Sequence, residues 1–565
     1  MKNYKALTKH LIALCLYLLL TVFQTGCGAA LTDENNQLQV SAGSEVITES
    51  VIQAGSENQD QTESSSAAES RTASASELSA NPDKTEETVM QSLNKIITSV
   101  MPEAGKATGE ANPLITNMYC ADPTAIEYEG RLYVYGTNDT QQYLHNTEGS
   151  NSYEKIKSLI MISTDDMVNW TYHGTIETGK ISPWIIASWA PSIVSRVEED
   201  GKTHFYLYYS NSGWGVGVLT ATSPTGPWED PLGKSIIDGN TKGIGKTAPF
   251  DPGVVIDENG VGWLSFGGSE SGEDDDVNFM PGGARIVQLG EDMISLASEI
   301  SEIPAPYHFE ANEMNYINGT YVYTYNTSWA NRVKWEIKDD LPPPACSMCY
   351  MTTNTPLVPE SWVYRGYYFK NPGENGLDYS NNHSHLQKYG GRYYLFYHTL
   401  SLQRKLGVGG GFRSIFADEI EVDEENLKIN TTRPTSIGMY QIKPYDPYKT
   451  NTAAALAASA GLSFEADGAD MFVTSNSAGS WELIREADFA QGASKFTAKV
   501  KGTGLIEIRL DSLEADPVGY AQFSTADWEN LEIDLAGSAS GVHDLYFVFS
   551  DEKISMYSWS FQTAQ

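Results

Sequence analysis

The chain has 565 residues, room for two or three domains, and its 73 Asp plus Glu outweigh 37 Lys plus Arg for a net charge of −36. That balance excludes nucleic acid and an anionic membrane surface as partners and fits a soluble protein with a neutral or cationic one. Aromatics make up 11%, with 32 Tyr, which suits strands and sugar-stacking surfaces.

Residues 1–30 read as an export signal. Lys2, Lys5 and Lys9 precede the apolar run Leu11–Phe23, too short to span a bilayer stably. The following "QTGCGAA" resembles a bacterial lipoprotein signal, in which Cys27 is lipidated and anchors an extracellular protein to the cell membrane. Gln24 stands where such signals carry an aliphatic residue, and cleavage near "GAA", giving a freely secreted protein, is the alternative. Residues 31–111, with "TESSSAAESRTASASELSA", have too few apolar groups to offset ordering entropy and are expected to form a disordered tether. Within it, "ETVMQSLNKIITSVM" predicts a short helix. Beyond the signal region stand Cys120, Cys346 and Cys349; "CSMC" leads into a strand-like run, which argues for buried free thiols rather than a metal site.

From residue 112 a repeat sets in. A turn glycine followed by an aromatic-rich strand occurs at Gly130, Gly201, Gly260, Gly319 and Gly391, in "EGRLYVYGT", "DGKTHFYLYYSN", "NGVGWLSFGG", "NGTYVYTYNT" and "GGRYYLFYHT". Each copy follows another strand-like run, and at least three have a further strand ending in a turn and a tryptophan, as in "LIMISTDDMVNW". Five units of about four antiparallel strands predict an all-β, five-bladed β-propeller over residues 112–447, closed so that no long edge is exposed.

In a propeller the innermost strand of each blade starts near the axis, so the residues leading into it share one cavity. Asp122 lies eight residues before Gly130, Asp251 nine before Gly260, Glu310 nine before Gly319 and His383 eight before Gly391; the second blade has Trp189 in "SWAPS". Carboxylates gathered in one pocket repel, which raises at least one pKa and makes a proton donor. Glycoside hydrolysis needs a protonated acid for the leaving oxygen and an ionised carboxylate for water or the anomeric carbon. The histidine can bind a cation or position an acid. Glu313 and His385 compete with Glu310 and His383, and the offset favours the earlier residue of each pair. Trp189, Trp214, Trp329 and Trp335 are candidate sugar platforms, with Trp329 and Trp335 in the long loop of the fourth blade.

The stretches "ADPTAIEYEGRLYVYGTND", "WAPSIV", "FDPGVVIDENGVGWLSFGG", "FEANEMNYINGTYVYTYN" and "NNHSHLQKYGGRYYLFYHT" resemble glycoside hydrolase family 43, and "SPTGPWEDPLGK", "LPPPACSMCYMTTNTP" and "FRSIFADEI" resemble its arabinoxylan-debranching arabinofuranosidases. The resemblance implies Asp122 as general base, Asp251 as the group that raises and orients the acid, Glu310 as general acid and Arg413 as a substrate-site arginine. It implies His383 beside a structural calcium held mainly through water. It further implies inversion at the anomeric carbon and a hemicellulose substrate such as arabinoxylan, arabinan or xylan. A β-xylosidase or endo-arabinanase on the same scaffold, or a sugar-capturing surface lipoprotein without catalysis, are the alternatives. Cys120 stands where family members carry a small residue.

Residues 448–565 alternate apolar and polar positions between short turns and predict a β-sandwich of jelly-roll type. "IEIRLDS" and "GVHDLYFVF" resemble a family 6 carbohydrate-binding module. Trp528 matches its loop aromatic, and an asparagine of such modules is replaced near Met556.

Overall fold

The computed structural model describes residues 97, 99–145, 149–269, 279–338, 340–490 and 492–563. The signal region, Cys27 and most of the tether, with most of the expected helix, lie outside these residues; the described end of that segment, Ile97 and residues 99–101, is not helical.

Among the described residues, nineteen strands form the expected five blades. The first comprises β1 (Ala121–Tyr128), β2 (Arg131–Thr137), β3 (Leu159–Thr164) and β4 (Trp170–Ile176); the second β5 (Trp189–Val197), β6 (Thr203–Ser210), β7 (Gly215–Ala221) and β8 (Ile237–Asp238). The third comprises β9 (Gly253–Ile256), β10 (Gly262–Phe266), β11 (Arg285–Gln288) and β12 (Ser301–Glu302); the fourth β13 (His308–Ile317), β14 (Thr320–Thr327), β15 (Met348–Thr353) and β16 (Val363–Phe369). The fifth has three strands, β17 (Ser384–Tyr389), β18 (Arg392–Thr399) and β19 (Ser414–Ile420), followed by a separate hairpin of β20 (Val422–Asp423) and β21 (Lys428–Ile429). The turn glycines have a conformational reason. Tyr128 pairs with Arg131, Ile317 with Thr320 and Tyr389 with Arg392 across two-residue turns. Both turn residues have positive φ, as in Glu129 (51°) and Gly130 (73°), the twist that a tight hairpin requires.

The outer edge of the fifth blade is covered by the chain ahead of the first, which forms no regular strand there. Leu114 and Cys120 donate their amides to the carbonyls of Ile415 and Arg413 at 3.0 and 2.8 Å. The Asn112 side chain accepts from the Ala417 amide and donates to its carbonyl, both at 2.9 Å. The ring is thus closed by joining its two ends. Lys106, buried one turn earlier, caps the carbonyls of Ala111, Pro113 and Leu114 with its ammonium at 3.3, 2.8 and 3.4 Å, and burial lowers its pKa to about 7.

The second part is a sandwich. Ahead of it come β22 (Asn451–Thr452) and β23 (Ala455–Leu456), then β24 (Ala458–Ala460), β25 (Leu462–Asp467), β26 (Asp470–Ser475), β27 (Ser480–Asp488), β28 (Ala493–Leu510), β29 (Gly519–Ala539), β30 (Val542–Phe549) and β31 (Ser555–Thr563). The first half of β28 pairs with β31 and its second half with β30, so one strand passes between two layers. It bends at Gly502 (φ 117°), where a Cβ would fall 2.5 Å from the Lys553 carbonyl oxygen. Ile484, Phe496, Val500, Phe547, Trp559 and Phe561 fill the space between the layers.

Two segments join sandwich to ring. β23, beyond the boundary expected at 447, pairs with β4 through Ala455–Thr171 and Leu456–Trp170 and extends the first blade. The end of the expected tether is held on the sandwich instead of running free: the Met101 amide donates to Gly479, and Trp481 Nε1 donates to the Met101 carbonyl at 2.8 Å.

Candidate active site

The inner strands reach the axis through a shared irregularity. The ladder slips between Ala121 and Thr124, Trp189 and Ser192, and Glu310 and Glu313, and Asp122, Ala190, Asp251 and Ala311 adopt left-handed φ of 50°, 41°, 42° and 60°. Such a bulge re-aims one side chain at the cost of local strain. Neighbouring groups hold it. The amide of Asp122 donates to His398 Nδ1 (3.2 Å), Ala190 to Thr137 Oγ1 (2.8 Å), Asp251 to Ser210 Oγ (2.7 Å) and Ala311 to Asp251 Oδ2 (2.8 Å). Glu310 therefore stands one residue ahead of the position that Asp122 and Asp251 occupy, a shift that counting back from turn glycines does not register.

Asp122 is buried and fully engaged. Its Oδ2 accepts from Thr137 Oγ1 at 2.7 Å and its Oδ1 from Arg413 Nη1 at 2.8 Å. Burial alone would raise its pKa, but the Arg413 guanidinium holds the carboxyl well below the usual range. Arg413 is itself fixed by Asp139: Nε and Nη2 donate to the two oxygens of that buried carboxylate at 2.9 Å each, and its guanidinium lies 5.0 Å over the Tyr153 ring. Asp251 is the opposite case, with burial and then the Asp122 charge raising its pKa to about 8. Glu310 is 5% exposed. Burial first, then Asp251 and Asp122, push its pKa well above the ordinary value, and its carboxyl meets no hydrogen-bond partner among the described residues. The site thus holds one ionised carboxylate and a coupled pair that retains a proton at neutral pH.

His383 joins them, with Nδ1 3.6 Å from Asp122 and 3.9 Å from Asp251; burial lowers its pKa to about 4. Glu313 and His385 lie elsewhere, buried against each other with 3.2 Å between Oε1 and Nδ1. Calcium takes six to eight oxygens. The carboxylates facing His383 are already engaged by Arg413, Thr137, the Ala311 amide and Ser210, and among the described residues no three His, Cys, Asp or Glu side chains converge to hold a metal. The side chains present do not fit a directly bound calcium.

The tryptophans separate. Trp189 flanks the site, its Nε1 donating to the Tyr153 carbonyl at 3.2 Å and its ring edge-on to Tyr153 and Phe250. Trp329 packs beside Tyr379. Trp214 is exposed. Trp335 donates to the Asp340 carbonyl and packs edge-on to Phe279 and Tyr364, a structural role. Trp528 lies within β29 rather than in a loop, edge-on to Phe472 and Tyr557 with the Lys499 ammonium 5.5 Å over its ring. Met556 is core. Cys120, Cys346 and Cys349 are free, buried thiols.

Sequence reasoning missed Thr137, Asp139, Ser210 and His398. A signal existed for two of them: second strands of the repeat end in Thr or Ser, as in "YGT", "YYS", "YNT" and "YHT".

Residues 110–427 match the model of glycosyl hydrolases family 43, and residues 452–563 that of the family 6 carbohydrate-binding module. An arabinoxylan arabinofuranohydrolase of Bacillus subtilis is 36% identical over 79% of this chain and 90% of its own length, and one of Paenibacillus polymyxa is 34% identical over 81% and 75%. The crystal structure of a family 43 arabinoxylan arabinofuranohydrolase from Bacillus subtilis, in complex with cellotetraose, superposes with a TM-score of 0.75 at 34% identity, covering 81% of this chain and 99% of that one. With its propeller, its carboxyl-lined axis and these relatives, the chain belongs to glycosyl hydrolases family 43 and carries a C-terminal carbohydrate-binding module of family 6.

Proposed function

We propose that this glycosidase acts on hemicellulose and removes α-L-arabinofuranosyl side groups from arabinoxylan by a single, inverting displacement. The observation that carries the reading is the electrostatic division of the site: Asp122 ionised by Arg413, Glu310 protonated and unpartnered. Asp122 takes a proton from water as the water oxygen attacks the anomeric carbon. Glu310 gives its proton to the departing glycosidic oxygen, and Asp251 keeps that proton on the acid until substrate arrives. The released arabinose and the debranched main chain, now carrying a hydroxyl at the cleaved position, leave with Asp122 protonated and Glu310 ionised, and proton exchange with solvent resets the pair. Similarity to two arabinoxylan arabinofuranohydrolases supports the choice of substrate.

The test is incubation of the protein with arabinoxylan, linear arabinan and xylo-oligosaccharides, with the released sugars identified by chromatography. Arabinose from arabinoxylan is expected. Xylose from xylo-oligosaccharides, or oligosaccharides from arabinan, would replace this reading by a β-xylosidase or an endo-arabinanase. We also infer export with lipidation at Cys27, supported by the basic start, the apolar run and the Gly26-Cys27 pair. Palmitate labelling of the expressed protein that persists in Cys27→Ser would refute the anchor.

A further inference from the structure

Tyr379, on the connection between β16 and β17, is 54% exposed, yet its ring is firmly seated. A Cβ on Gly373 would fall 2.4–2.6 Å from Tyr379 Cγ, Cδ1 and Cδ2, so bare glycine backbone lies against one ring face. The hydroxyl donates to Glu374 Oε1 at 2.8 Å. Trp329 packs alongside, its centroid 6.3 Å away and its plane tilted by 59°. A large ring, immobilised before binding and open on its other side, offers contact at little entropic cost.

The surroundings place this pair beside the acid. Asn326, the cross-strand partner of Glu310, donates through Nδ2 to Cys346 Sγ at 3.5 Å, and Asn371 donates to the same sulfur at 3.2 Å. The Cys346 thiol and Asn371 Nδ2 both donate to the Ser380 carbonyl, at 3.8 and 2.7 Å. Asn382 Nδ2 donates to the Cys346 carbonyl at 3.2 Å. The loop of Trp329 and the loop of Tyr379 are therefore stitched together next to the strand that carries Glu310. Four residues beyond Tyr379 the chain reaches His383 at the axis, so their Cα atoms lie at most about 14 Å apart, and His383 Nδ1 is itself 3.6 Å from Asp122.

We infer that Tyr379, flanked by Trp329, is the stacking platform for the sugar that carries the scissile group, a pyranose ring of the polymer main chain. An acid protonates the leaving oxygen, so the departing sugar lies on the acid's side. The inference rests on Glu310 being that acid. Tyr379 does not touch the reacting atoms and acts by binding alone.

The experiment measures KM for arabinoxylan oligosaccharides and the inhibition constant of free arabinose in the unmodified protein, Tyr379→Ala and Tyr379→Phe. The alanine variant is expected to raise KM roughly five- to tenfold with the arabinose constant unchanged, and the phenylalanine variant to restore KM to within about twofold. An unchanged KM in Tyr379→Ala overturns the inference while leaving the hydrolase reading intact, and so does an equal rise in both constants, which would mean a generally loosened pocket. No sugar released by the unmodified protein would sink the reading beneath it and the inference together.

Discussion

Asp122 and Asp251 stand at equivalent points of two blades, both buried and both at left-handed φ, and only the first is bonded to Arg413. That one contact divides their roles, and two expectations follow from it. Replacing Arg413 by Gln removes the charge that offsets the burial of Asp122, so its pKa rises and the acid limb of kcat/KM moves to higher pH. The same change leaves Asp139 buried without its cation, a loss of about 3–5 kcal/mol, so both the pH–rate profile and the denaturation midpoint should move; an acid limb that stays in place would refute Asp122 as base. Asp251 works the other way. Its pKa is raised to about 8 in the folded protein from an ordinary 3.8, so the stability of the proton-bearing folded state is fully present below about 3.8 and is lost as pH rises to about 8. Asp251→Asn is therefore expected to melt higher than the unmodified protein at pH 8 and much the same near pH 4. It should also pull the basic limb of activity down in pH, since Glu310 loses a like charge. Asp122 and Asp251 were legible because a repeat gives equivalent residues equivalent places, and Glu310, one residue off the bulge position that Ala311 takes, and His383 were close enough to it for the same count to find them. Asp139 and His398 were not, since Asp139 acts on Arg413 across 274 residues and His398 on Asp122 across 276, and nothing local marks such partners.

At the scale of elements, the hairpins follow from turn chemistry and alternation, which a sequence displays, whereas the bulges follow from where the backbone must bend to meet the axis. Ala311 tests this. It is fully buried at φ 60° with its amide on Asp251, and it sets the direction of Glu310 beside it. A β-branched side chain is a genuine outlier at such φ, so Ala311→Val is expected to cost more than about 2 kcal/mol and to lower kcat at least tenfold. Ala311→Gly, which relieves the left-handed strain, should be as stable as the parent or up to ~1 kcal/mol better. Equal activity of the two variants in steady-state assays would show that the bulge does not aim the acid. Ring closure was hidden for a related reason. "NPLITNMYC" has no alternation of its own and forms no strand; it covers the edge of β19 only through isolated hydrogen bonds from Asn112, Leu114 and Cys120.

The whole molecule behaves as a ring with a brace. The small side chains of the alanine-rich run 453–460 let the backbone of β23 lie against Trp170 and Thr171, and β24 then continues into the sandwich through Ala458–Leu483 and Ala460–Trp481. Asn169 of the first blade exchanges hydrogen bonds with the backbone of Arg485, its Nδ2 donating at 3.1 Å and its Oδ1 accepting at 2.9 Å, and the Phe464 ring meets Tyr172 edge-on at 5.7 Å. On the other side Met101 ties the sandwich to the segment that closes the ring. The first blade carries Asp122, so a module attached to its outer edge is placed to steady the site from outside. A chain ending at residue 447 exposes the edge of β4 with Trp170 behind it and frees residues 97–105 from the sandwich. Its thermal midpoint is expected to fall by more than about 5 °C, equivalent to roughly 3–4 kcal/mol for a domain of this size. The full chain should instead unfold in one calorimetric transition, because neither part keeps its boundary once the other melts. A chain ending at residue 457 retains β23 and should recover only a minor part of the loss, since β23 then has no sandwich behind it. Two resolved transitions in the full chain, with the shorter chain as stable as the propeller transition, would mean that the module hangs on the ring without bracing it.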